Sequence, residues 1–290
     1  MSPRVSVQKT YKLFIGGAFP RTESGRTTPI QSATGELLAH ACRASRKDLR
    51  AAVEAARTGL EKWSNATAYL RGQILYRIAE MMEGRKSEFA QVIAAIGEVS
   101  LDEAARETDA SIDRLVAFAG WADKFSQVLG CNNPVSGPYY NFTIPEASGV
   151  VAVLAPDSPS LLALISLLAP PLCAGNSVIV VASESNPLPA IVFAECCATG
   201  DVPGGVINVL TGPREELAPW IASHRDIDAV HAAGVGDQLA RTLREGAAEN
   251  LKRVVVRETL DDGWLNPACT SPWWIEPFVE MKTIWHPSAT

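Results

Sequence analysis

Through the first third of the chain, apolar residues recur at helical spacing. Short strands are expected at 12–15 and 37–41, on either side of a turn-rich stretch. Ser45 with Asp48 three residues on then makes a capping box, in which each side chain meets the other's backbone N–H, and starts a helix running to about Trp63. Further helices are predicted over about 68–83, 86–96 and 100–125, the last opened by a second capping box, Ser100 with Glu103. Proline and glycine punctuate 132–137, and 139–144 then alternates like an extended strand leading into Pro145.

From Gly149 the pattern changes. Short apolar runs at 149–154, 177–181, 206–209, 229–231 and 252–256 read as strands, separated by helical stretches over 161–173, 187–199, 214–223 and 235–245. Strands that alternate with helices need right-handed crossovers, which give a parallel sheet covered on both faces. The expected fold is therefore α/β, a Rossmann-like parallel sheet of about five strands with helices on both faces and an N-terminal helical region. Beyond Glu258 neither period persists: Trp264, Trp273, Trp274 and Trp285 crowd among prolines before a strand-like VEMKTIW. The chain thus divides into 1–131, a short excursion at 132–148, the Rossmann-like unit at 149–258, and a Trp-rich linker and strand at 259–290.

With 290 residues, 47% of them hydrophobic, such a fold can bury a sizeable core. Lys and Arg number 26 against 32 Asp and Glu, a net charge of −6 without long runs of one sign, which argues against a nucleic-acid or anionic membrane surface. A small molecule or another protein is the expected partner. The opening MSPRVSVQKTYKLF has no apolar core followed by a cleavage site, and the most apolar stretch, 161–169, stops at Pro170 and Pro171, so a soluble, cytoplasmic chain is expected. Six cysteines without CxxC spacing and four histidines suggest neither a disulfide scaffold nor a metal site. Cys196 and Cys197 share a helix, where one thiol is expected to face the core and the other away; His224 and His231 read as turn or edge residues. The tail tryptophans read as anchors that dock onto another surface.

Several segments occur in an order and spacing that resemble one family: LFIGG, AGWADK at 119–124, Ser148-Gly-Val-Val-Ala-Val, Ala174-Gly-Asn-Ser-Val, Pro203-Gly-Gly-Val-Ile-Asn-Val-Leu-Thr-Gly and Leu251-Lys-Arg-Val. Together they resemble the aldehyde dehydrogenase superfamily over about 12–256, and Glu276-Pro-Phe-Val-Glu-Met-Lys-Thr-Ile-Trp resembles the strand that closes that family's oligomerisation sheet. The resemblance implies a small oligomerisation β-sheet made from 139–144 and 279–285, and partners that are either copies of this chain or a full-length aldehyde dehydrogenase. It also implies that the catalytic domain usually lying between the last two segments is missing.

The family's chemistry needs a cysteine thiolate to attack the carbonyl, an asparagine amide to hold the oxyanion, and a glutamate to activate water. Where the resemblance places the asparagine, this chain reads Ala155-Pro156-Asp157-Ser158-Pro159. Where it places the glutamate stands Arg257, and a one-residue slip to Glu258 would project the carboxylate from the opposite face of the strand. Cys269 is the only later thiol, outside the family's nucleophile motif and with no histidine beside it in sequence. No catalytic residue is assigned. For the cofactor, NAD or NADP, the family's lysine is replaced by Val181 but Glu184 remains in place to clasp a ribose. Gly212, Gly234 and Gly236 either bring backbone N–H groups to a dinucleotide or simply make the turns between strand and helix. The leading expectation is a non-catalytic accessory subunit; an active NAD(P)-dependent enzyme or a dinucleotide-binding module are the alternatives.

Overall fold

The computed structural model describes residues 7–258 and 263–288. Thr259 and Leu260, which stand where the resembling family has two glycines, lie outside them. At the start, β1 (Thr10–Tyr11), β2 (Thr27–Gln31) and β3 (Leu37–Cys42) form a small sheet in the order β1-β3-β2. β2 lies in the stretch expected to be turn-rich; Pro29 is accommodated there because an edge strand needs ladder bonds on one side only. The strand expected at 12–15 is reduced to isolated bridges, Phe14 to Val209 and Ile15 to Ala18.

Both capping boxes form. Ser45 and Asp48 open α1 (Arg46–Ser64), and Thr22 Oγ1 donates to Asp48 Oδ2 at 2.6 Å, fixing the entry of the chain. After α2 (Ala68–Glu83) and α3 (Lys86–Ala94), Ser100 and Glu103 open α4 (Leu101–Trp121). The helix expected over 100–125 ends at Trp121 and resumes as the short α5 (Phe125–Leu129). Then come β4 (Cys131–Asn133) and β5 (Tyr139–Ala147), which leave the helical layer.

The central unit alternates β6 (Val150–Leu154), α6 (Leu162–Ala174), β7 (Ser177–Val181), α7 (Leu188–Thr199), β8 (Ile207–Leu210), α8 (Arg214–Ser223), β9 (Ala229–Ala233), α9 (Asp237–Ala248) and β10 (Arg253–Arg257). Its sheet is parallel in the order β10-β9-β6-β7-β8. Side chains alternate between two cores: Val150, Ala152 and Leu154 face α1, α8 and α9, while Val151 and Val153 face α6 and α7. Burial on both faces is why these strands are apolar at every position rather than every second one.

α7 is enclosed between β8 on one side and α2 and α3 on the other, so Cys196 and Cys197 are both buried, and no thiol faces away as the helix alone implied. Burial pushes the Cys196 thiol up to about 11, opposed only in part by the Arg85 guanidinium, and holds Cys197 well above the ordinary range. At the far end of the sheet, the buried Lys252 ammonium donates to the carbonyls of Ile221, Ala222 and His224 at 2.8–2.9 Å, tying β10 to the end of α8. Burial lowers its pKa from 10.5 to about 8. The folded chain therefore releases this proton before the unfolded chain does, and stability gains from this group as pH rises from about 8 to 10.5. Denaturant titrations across that window are expected to show the gain in the native chain and not in Lys252→Met.

Beyond β10, four 3₁₀ turns between Gly263 and Phe278 pack beside α6, with Trp274 and Phe278 against the His231 ring of β9 and Trp274 against Arg257 of β10. Cys269, Trp274, Ile275 and Phe278 enter the core there. The tail ends in β11 (Val279–Pro287), antiparallel to β5 through nine residue pairs from Val279 opposite Ala147 to Pro287 opposite Tyr139. The two segments expected at 139–144 and 279–285 are thus direct partners in one small sheet, β11-β5-β4.

Candidate functional site

In an open parallel sheet the ligand crevice lies outside the carboxyl ends of the strands, where the strand order reverses. Here the reversal falls between β6 and β9, so the segments after β6, β7 and β9 border the crevice. Asp157, after β6, accepts at Oδ1 from the backbone N–H of Glu184 (2.7 Å) and Ser185 (3.2 Å), both after β7. Its Oδ2 accepts from Arg214 Nη2. Glu184 Oε1 accepts from the backbone N–H of Arg214 at 2.8 Å and from its Nε at 3.0 Å, and Arg214 Nη1 donates to the Ala155 carbonyl at 2.9 Å. Burial alone would raise the Asp157 carboxyl, but the N–H groups of Ser185 and Glu184 and the Arg214 guanidinium outweigh it and hold the pKa below the usual carboxylate value.

Arg214 is the residue that motif reading missed, although the sequence carries a signal for it. It is the first residue of α8, where the positive end of the helix dipole disfavours a cation, so a guanidinium there requires carboxylates close by. Glu184 supplies one, and at the same time satisfies the first orphan N–H of α8, which has no side-chain cap of its own.

The three glycines have separate surroundings. Gly234 adopts φ +61°, and a Cβ built there would sit 2.5 Å from Pro156 Cβ, so its missing side chain makes room for the loop after β6. Gly236, at φ −66° with nothing within 4 Å of a built Cβ, precedes α9 at a position open to any residue. Gly212, at φ +133°, turns the chain from β8 past Arg43 and Ala44. The cavity beside Glu184 and Gly212, bounded by Ile30, Pro187 and Thr211, measures about 60 Å³.

At the β9–β10 side, His231 occupies the middle of a strand with β6 and β10 on either side, and is fully buried rather than at a turn or edge. Pro171 explains its setting: proline has no N–H, so the carbonyl of Leu167 one turn earlier in α6 lacks its helical donor, and His231 Nδ1 donates to it at 2.8 Å. Nε2 then accepts from Arg257 Nε at 3.0 Å, the tautomer both partners require. Burial first, and Arg257 second, hold this histidine neutral. The Arg257 guanidinium also lies 4.2 Å from the centre of the Trp274 ring. His224, by contrast, ends α8 in a turn as expected.

Cys269 is 1% exposed, and burial raises its thiol pKa, only partly opposed by Arg114 and Arg257. Arg114, bonded to Ser166 Oγ of α6 (2.6 Å), holds the tail here through the carbonyls of Cys269 (3.3 Å) and Trp264 (2.7 Å). Trp121 Nε1 adds a bond to the Thr270 carbonyl at 2.8 Å. Two of the tail tryptophans therefore serve the chain's own fold, Trp274 in the core and Trp264 packed against it, while Trp273 and Trp285 stay exposed. Among the described residues, no group of three or more His, Cys, Asp or Glu is placed to hold a metal, and no helix is long and apolar enough to cross a membrane.

A model of the aldehyde dehydrogenase family matches residues 19–258. The chain belongs to the aldehyde dehydrogenase family. It is 33% identical to cytosolic aldehyde dehydrogenase 1 of Elephantulus edwardii over 269 residues, 91% of this chain and 52% of that protein. Against retinal dehydrogenase 2 of Mus musculus it is 32% identical over 272 residues, 92% of this chain and 51% of the other. Among solved structures, the NAD+ complex of an aldehyde dehydrogenase from Bacillus cereus superposes with a TM-score of 0.81 at 28% identity, over 85% of this chain and 50% of that one. PnpE from Pseudomonas sp. WBC-3 gives 0.82 at 26% identity, over 86% and 51%. The chain spans about half the length of the relatives it matches. In this family member, Asp157, Arg257 and Cys269 are each committed to internal contacts: an ion cluster, a histidine with a tryptophan face, and the packed tail.

Proposed function

We propose that this aldehyde dehydrogenase family chain acts without catalysis, as an assembly partner that joins a full-length aldehyde dehydrogenase through the β11-β5-β4 sheet, the same surface it would use to join its own copies. The single observation that supports this reading most is the nine-pair β5–β11 ribbon. β11 is an edge strand with no neighbour beyond it among the described residues, and long unprotected edges invite pairing. The ribbon also shows large aromatics to solvent, Tyr140 at 62% and Trp285 at 58% exposure, with Tyr139 and Met281 beside them. Aromatic residues and methionine are enriched at such interfaces.

The chemistry of three side chains supports the non-catalytic reading. A carboxylate at position 157 repels a developing oxyanion, a guanidinium at 257 cannot accept a proton from water, and a buried thiol with a raised pKa supplies little thiolate. Co-purification of the tagged chain from its native host, weighed by native mass spectrometry, is expected to give a mixed complex whose aldehyde-dependent NAD(P) reduction tracks the partner. Met281→Lys with Trp285→Lys is expected to break the complex while leaving the circular dichroism unchanged. A strict monomer that ignores full-length aldehyde dehydrogenase overturns the assembly reading, and turnover by the isolated chain that iodoacetamide abolishes overturns the non-catalytic one.

A further inference from the structure

We infer that Arg214 closes the carboxyl-end crevice as an internal cation, so that this chain takes neither NAD nor NADP there. Glu184 is the residue the family resemblance assigns to a ribose, but its Oε1 already accepts two bonds from Arg214, one of them the N–H that starts α8. Turning Glu184 away from Arg214 towards a ribose would expose an uncapped helix start and leave a guanidinium, only 10% exposed, with one carboxylate fewer. The other carboxylate, Asp157, is tied across the crevice by three N–H groups, those of Glu184, Ser185 and Arg214. The chain after β6 is thereby stitched to the chain after β7 and to α8, at the β6 wall of the crevice.

Space and charge agree with this. Gly234, whose backbone would have to approach the ligand, is packed against Pro156. Asp157, Glu184 and Arg214 sum to one negative charge, and α9, the helix next to the crevice, already has Asp237 in its first turn, where a diphosphate would seek the positive end of the dipole. The crevice therefore repels an anion instead of attracting one.

The test is a calorimetric titration of the full chain with NAD+, NADP+ and ADP-ribose, alongside thermal melts of the native chain and Arg214→Ala. The native chain is expected to show no saturable heat and no rise in Tm at ligand concentrations up to about 1 mM. Arg214→Ala leaves two carboxylates facing each other and is expected to melt at least about 5 °C lower at neutral pH, with the gap narrowing towards pH 4 as they protonate. Saturable dinucleotide binding by the native chain overturns the inference, as does an Arg214→Ala variant that melts like the native chain at neutral pH. Either outcome leaves the assembly reading standing, because that reading rests on the β5–β11 ribbon.

Discussion

Trp274→Ala is expected to remove about 3–5 kcal/mol of stability, a large share of the 5–15 kcal/mol a domain usually has. The side chain is 7% exposed and packs against the rings of His231 and Trp264 at centroid distances of 5.9 and 6.2 Å. Its loss opens a cavity over β9 and β10 and strips the Arg257 guanidinium of the aromatic face it lies on, leaving a half-buried cation whose contact with His231 cannot neutralise it. Urea titration followed by circular dichroism measures the effect. A shift of less than about 1 kcal/mol, or a separate early transition with the main one unmoved, would mean that the tail peels away on its own and is no part of the cooperative unit.

Asn176→Asp is expected to cost more than Asn176→Ala, although it is the closer match in shape. The fully buried Asn176 amide bridges three segments: Oδ1 accepts from the Gly149 N–H at 2.8 Å, and Nδ2 donates to the carbonyls of Pro171 and Phe278 at 2.9 Å each. Alanine leaves the Gly149 N–H unpaired, at about 1–3 kcal/mol if it stays dry, while the Pro171 carbonyl keeps the backbone N–H of Asn176 and the Phe278 carbonyl keeps that of Ser148. Aspartate points a second oxygen at two carbonyl oxygens, so it must either bury a repelled charge or take up a proton. The aspartate variant should therefore regain stability as pH falls, whereas the alanine variant should not, and equal pH dependence of the two urea midpoints would refute the bridging role.

Asn176 also shows how far the sequence could be read. It stands in the Ala174-Gly-Asn-Ser-Val segment by which the family was recognised, but nothing in that segment indicates that its amide reaches the tail more than a hundred residues later. The same holds for Glu184, whose place in the family pattern gives no sign of its bond to Arg214. A family motif records what a position does in relatives; what it does here depends on side chains the motif does not include. His231 is a further example: as a residue bordering a predicted strand it reads as an edge, and only the addition of β10 outside β9 and the missing N–H of Pro171 make it a buried bridge.

The sequence by itself determined the α/β layout, both capping boxes, the order of the five parallel strands' segments and the family, because each depends on local periodicity, short-range hydrogen bonding or motif order. Only the tertiary structure decided that β5 and β11 are partners, that the tail packs on His231 of β9 and Arg257 of β10, and that Arg214 bridges Asp157 and Glu184. These contacts join residues far apart in the chain. Their energies come from geometry across elements, from burial, paired charge and satisfied carbonyls, and none of these has a period or a spacing that a linear reading can detect.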